Sequence, residues 1–180
     1  MRLIAAVAGL IDQTNEYIGR AVSWLALILV LTQFLVVVLR YVFGISFVSM
    51  QESLIYLHAS LFMAAAAYTL KHDGHVRVDI FYRGASERFK AWVDLAGGLF
   101  FLLPVMGVVW YEGWPYVSAS WAIHEGSTET SGIQAVFLLK TLILVFAALM
   151  ALQGIAKILH CTLILSGREI ARHEVHDEGV

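Results

Sequence analysis

One cysteine, Cys161, and two prolines are all that this 180-residue chain carries of the two most constraining residue types. A lone cysteine excludes an internal disulfide and any four-cysteine metal site. With so little proline and no Gly/Ser-rich or repetitive stretch, nothing reads as a linker, and residues 1–180 form a single domain. Charge is scarce too: Asp, Glu, Lys and Arg make up 14% of the chain, against about a quarter in an ordinary soluble domain. The net charge of −2 is uninformative about nucleic acid, and with no basic stripe to suggest it, no nucleic-acid partner is expected. There is no Gly-x-Ser-x-Gly elbow, no Gly-x-x-x-x-Gly-Lys phosphate loop and no His-Glu-x-x-His pair. The usual signatures of hydrolases, nucleotide enzymes and zinc proteases are therefore missing, and the expectation is a protein that is not an enzyme.

What is present is apolar. Hydrophobic residues make up 59% of the chain and the mean hydropathy is +0.75. A membrane-crossing helix needs about 20 mainly apolar residues, and four runs qualify: roughly 21–42, 51–70, 91–111 and 133–159. The opening "MRLIAAVAGLI" loosely resembles a cleaved signal, but its small residues lie inside the apolar run rather than after it. Leu3, Ile4, Val7, Leu10 and Ile11 make a helical stripe, with Asp12, Gln13, Asn15 and Glu16 following as its polar face. Residues 1–20 are thus expected to form an amphipathic interfacial helix leading into the first span. The fold class is an all-α integral membrane protein with four transmembrane helices, and residues 160–180 are a tail.

Lys and Arg set the expected direction. Lys71, Arg77, Arg83, Arg88 and Lys90 crowd between the second and third spans, and Arg2, Arg20, Lys157, Arg168 and Arg172 flank the two ends. Residues 112–132 hold three glutamates and no basic residue. Both termini should be cytoplasmic and 112–132 external. Trp110, Tyr111, Trp114, Tyr116 and Trp121 gather at the outer level, with Trp24 and Trp92 at the inner one, as headgroup-level rings do.

Polar residues inside apolar spans are costly and need partners. Arg40 and Glu52 flank the short outer turn and are expected to pair across it. Lys140 lies about 10 Å into the fourth span and should snorkel outward or join Glu52 or Glu112. Asp94 should meet Lys90 or Arg88. Gln33 and Gln153 are candidate interhelical contacts, within the chain or to a neighbour. Ser60, Ala64 and Ala67 form a smooth strip for close packing, as do Gly97, Gly98 and Gly107, which with Pro104 should bend the third helix. His58 and His160 differ too much in depth to share a haem. His72, His75 and Asp79 could be spaced for a metal, but a solvated loop between spans is the stronger reading. No cofactor or metal is expected. The rival reading is an autonomous small oligomeric membrane transporter, yet the chain has no midplane carboxylate and no repeat of broken helices.

The stretch "RYVFGISFVSMQESLIYL", followed by "HVRVDIFY", resembles the small permease subunit, the DctQ-like or Q-type subunit, of tripartite ATP-independent periplasmic (TRAP) transporters. Arg40, Glu52 and the run Gly74-His75-Val76-Arg77-Val78-Asp79 match that family's pattern, as do Lys140 and Leu152-Gln153-Gly154. A proline that often follows the fourth-helix lysine in the family is absent from "KTLILVF". The resemblance implies a scaffold in a bacterial or archaeal inner membrane, surrounded by membrane lipids. Its partners would be a large permease subunit and a periplasmic substrate-binding protein. The system as a whole would be a symporter for organic acid uptake, with sodium handled by the large subunit. His75, Arg77 and Asp79 would then tie the connection between helices two and three to the bundle or to the partner. Ser86 is expected to start the helix that becomes the third span.

Overall fold

The computed structural model describes residues 2–76 and 84–167. It is all helix, with no strand among the described residues. Helix α1 runs Arg2–Val42, α2 Val48–Lys71, α3 Glu87–Gly97, α4 Leu103–Ala122 and α5 Val136–Leu165, with a π-helical turn, Gly98–Leu102, joining α3 to α4. Counting α3 to α4 as one rod, four helices are long and apolar enough to cross a membrane.

Each boundary has a local cause. The β-conformation Ser86 caps α3, its hydroxyl accepting from the Phe89 N–H at 3.4 Å, with Glu87 in the first turn complementing the helix dipole. Pro104 cannot donate to the ladder and its ring crowds the preceding turn. The chain absorbs this by widening to π geometry just before it, where the Leu103 N–H reaches back to the Gly98 carbonyl. Between α1 and α2, Gly44 takes φ +69°, and the Ile45 N–H returns 2.9 Å to the Leu39 carbonyl. A side chain there would be strained.

The helices outrun the expected spans: α2 slightly at both ends, α5 to Leu165 so that the start of the expected 160–180 tail is helical, and the other two by more. The third rod continues to Ala122, so the first half of the stretch read as an external loop is helical and only 123–135 is irregular. Helix α1 is a single 41-residue element, about 60 Å long at 1.5 Å per residue. The amphipathic segment and the first span are one rod.

Helix α5 is the hub, packing against α1, α2, α3, the π turn and α4, while α1 pairs with α2 and α5. The interior is built from small and flexible residues: Ala67 of α2, Met106 of α4, and Ala147 and Met150 of α5 form the central cluster. Lipid is as apolar as any side chain, so helices in a bilayer gain by close approach rather than by burial. Gly19 shows this on α1, where even a Cβ would run into the Tyr68 ring of α2.

Candidate functional site

The polar side chains of the helices gather at the two ends of the bundle. One end, called here the terminal end, holds the start of α1 and the finish of α5. The other, the turn end, holds residues 43–47 and 123–135.

At the terminal end the polar face of α1 turns inward. Asp12 is 6% exposed and Asn15 2%, whereas Leu3 and Leu10 are 76% and 66% exposed. Gln153 of α5, 3% exposed, sits between the two polar residues. Its Nε2 donates to Asp12 Oδ1 at 2.8 Å, and its Oε1 accepts from Asn15 Nδ2 at 2.7 Å. The second Asp12 oxygen lies 3.0 Å from His160 Nε2. One turn on, the Glu16 carboxylate gathers three bases: Arg20 Nε at 2.7 Å, Lys71 Nζ at 2.7 Å and His72 Nε2 at 2.8 Å. Lys157 of α5 bridges Asp73, just after α2, at 2.9 Å and Asp94 of α3 at 3.2 Å. These contacts stitch α1 to α5, α1 to α2, and α5 to both α2 and α3.

At the turn end Glu52 is held by the irregular 123–135 segment. One carboxylate oxygen accepts from the Ser127 hydroxyl, the other from the Ile133 N–H at 2.6 Å. Lys140 Nζ donates to Glu125 Oε2 at 2.5 Å and lies 4.1 Å from the centre of the Tyr116 ring. The ammonium of Lys140 holds the Glu125 carboxyl below the usual glutamate range. Trp121 Nε1 donates to Thr141 Oγ1 at 2.8 Å, pinning the end of α4 to α5.

Several expected partners differ. Glu52 does not pair with Arg40 across the turn, nor with Lys140. Ser127 and Ile133 occupy both of its oxygens, and Arg40 is exposed. Lys140 takes Glu125 rather than Glu52 or Glu112 because the chain after α4 doubles back over the start of α5. Asp94 meets Lys157. Gln153 bonds within the chain, whereas Gln33 is exposed and makes no hydrogen bond among the described residues. His75 is exposed, and Arg77 and Asp79 lie outside the described residues. Of the expected packing strips, Ala64 and Ala67 are buried and Gly98 abuts Ile158, whereas Gly97 and Gly107 meet nothing.

Asp12, Asn15, Glu16, Lys71 and Lys157 were not among the sequence candidates for contact. For Asp12 and Asn15 the signal was the spacing Ala8, Asp12, Asn15, Gly19, a stripe of small and polar residues at helical intervals, all buried. Among the described residues no group of three or more His, Cys, Asp or Glu side chains is placed to hold a metal ion.

Four long apolar helices clasped by polar side chains at both ends define a multi-pass membrane protein. The sequence model of one family, described as tripartite ATP-independent periplasmic transporters, DctQ component, matches residues 20–163. The chain belongs to that family and is a TRAP transporter small permease subunit. No curated protein and no solved structure matches it.

Proposed function

We propose that this chain braces the large permease subunit of a TRAP transporter and carries no substrate itself. The observation that supports this reading most directly is how its polar groups are used. Asp12, Asn15, Glu16, Gln153 and Lys157 at one end, and Glu52 and Lys140 at the other, each bond to another segment of the same chain. A carrier keeps such groups free for cargo or coupling ion. A brace spends them on rigidity.

On this reading the terminal end faces the cytoplasm of a bacterial or archaeal inner membrane, because Arg2, Arg20, Lys71, Lys90 and Lys157 lie towards it. The turn end, with Glu112, Glu125 and Glu129, faces the periplasm, where a binding protein delivers an organic acid to the large subunit. Sodium-coupled movement of that acid belongs to the large subunit.

Purification of the tagged chain from membranes expressing the whole transporter, together with uptake into proteoliposomes, tests this. The large subunit is expected to co-purify, and the isolated chain is expected to show no uptake. Uptake by this chain alone, abolished by Glu52→Gln without loss of assembly, would overturn the reading in favour of an autonomous carrier.

A further inference from the structure

Two polar side chains stand apart from both clasps. Gln33 of α1 and His58 of α2 are exposed, and neither makes a hydrogen bond among the described residues, His58 having only the Phe62 ring at 4.4 Å. Both lie in the strongly apolar part of their helices. Gln33 is nine residues before the end of α1 and His58 ten after the start of α2, which puts them about 14 and 15 Å below the turn at 1.5 Å per residue. The α1–α2 hairpin therefore carries two hydrogen-bonding groups at one depth, well inside the hydrocarbon.

Acyl chains offer them nothing, and an unsatisfied amide in an apolar medium costs several kcal/mol. Neither group is near enough to a surface to reach water without bending the whole side chain through an apolar layer. The neighbours suit a protein contact: Ala26, Val30, Gln33 and Val37 recur at four, three and four residues, all exposed, which is the spacing of a helix seam. Small and β-branched residues around one amide are what interhelical packing in a bilayer uses. The exposed part of the α3–α4 rod, with Phe100, Phe101, Val105 and Val108, offers large apolar side chains of the kind lipid covers and no comparable amide.

We infer that the α1–α2 hairpin is the face that docks the large membrane subunit, with Gln33 and His58 as its hydrogen-bonding points. The inference rests on the reading of this chain as the small subunit. It adds which face the partner covers. The large subunit is the occupant because it is the component of such a system that shares the hydrocarbon layer, where both groups lie.

The test uses the whole transporter with the affinity tag on this chain. A photoreactive phenylalanine replaces Val30, Val37 or Ile55 on the hairpin, and Phe101 or Val108 serves as control. The expected result is a covalent adduct with the large subunit from the hairpin positions, in several-fold higher yield than from the controls. Gln33→Leu is expected to lower the large subunit retained through a detergent wash by roughly threefold to tenfold, the range of one interhelical hydrogen bond. The chain's own thermal unfolding should not change. Adducts from the controls alone, or a band at twice this chain's mass from the hairpin, would overturn the inference, as would unchanged retention by Gln33→Leu. In each of those cases, large subunit still held on the tag leaves the brace reading standing. Absence of the large subunit from the purification would remove both.

Discussion

Gln153→Leu is the substitution that most sharply tests how α1 is held. The leucine fills a similar volume, so the change removes hydrogen bonds rather than packing. It leaves Asp12 Oδ1 and Asn15 Nδ2 without the partner each has at 2.8 and 2.7 Å. Both residues are buried, at 6% and 2% exposure, so neither recovers much from solvent. A stranded buried group costs about 1–3 kcal/mol, more when charged. Asp12 keeps His160 at 3.0 Å on its other oxygen, so only Oδ1 loses a bond there, and the upper range is about 3 kcal/mol. Polar contacts between helices in a bilayer often measure nearer 0.6 kcal/mol, so about 1 kcal/mol is the lower bound for two bonds.

The double variant decides the mechanism. Adding Asn15→Leu takes away one of the stranded groups, so Asn15→Leu/Gln153→Leu should be less destabilised than the sum of the singles by about 1 kcal/mol or more. Asp12→Leu should not rescue in the same way, because it also removes the contact between Asp12 and His160 at 3.0 Å. The measurement is reversible unfolding in mixed detergent micelles, followed by far-UV circular dichroism, for the four members of the cycle. Additivity within about 0.3 kcal/mol would refute the reasoning. It would mean that Asn15 and Gln153 do not touch, and that the polar face of α1 meets water rather than α5.

Three further outcomes follow from the same geometry. Gly19→Ala should destabilise by about 1–3 kcal/mol, the range for overpacking, because the new methyl enters the Tyr68 ring; a second change, Tyr68→Leu, should recover part of the loss in a thermal-shift assay. Ser127→Ala removes the hydroxyl that donates to Glu52 and should loosen the segment that Glu52 holds, read as increased proteolysis within 123–135 at neutral pH. Glu125 has its carboxyl held below the ordinary range by Lys140, so its contribution is fully present above the unfolded value of about 4.3 and is lost as pH falls through the folded one. The melting temperatures of wild type and Glu125→Gln should therefore differ at neutral pH and converge on acidification below the ordinary glutamate value; a gap that stays constant would argue against the Lys140 pairing.

The four apolar runs were legible because hydrocarbon thickness imposes a length that sequence displays directly. Helix ends were less so. The stretch "EGWPYVSASWA" carries Pro115, which by local rules disfavours a helix interior, yet α4 continues through it to Ala122 although the apolar run stops near Tyr111. The direction of α1 was illegible for a different reason. Periodicity separates Leu3, Val7 and Leu10 from Asp12, Asn15 and Glu16, but it does not say which face meets protein. In a soluble helix the apolar face packs inward. Beside lipid the preference inverts, and the polar face found Gln153 and Lys71. Partner choice at the turn end depended on contacts 75 and 81 residues away in sequence, from Glu52 to Ser127 and Ile133, which no local pattern encodes. Arg40, adjacent across the turn, looked nearer only along the chain.

The division of labour along the bundle has a physical reason. Midway through the bilayer, helix association rests on small residues such as Ala67 and Ala147, and it is individually weak because lipid competes for the same apolar surfaces. Ion pairs are least costly near the rims, where headgroups and water can reach the charges. The observed clasps obey that limit: Glu16, Asp73, Asp94 and Lys157 lie towards one end, and Glu52, Glu125 and Lys140 towards the other. A bundle fastened at both rims keeps its shape without consuming its outer mid-span faces. Those faces are left for lipid or for another protein, and for α1 this means that nothing in the 18-residue apolar window is buried within its own chain. The proposed brace would use that combination: ends that resist splaying, and a long exposed helix that another membrane protein can lie against.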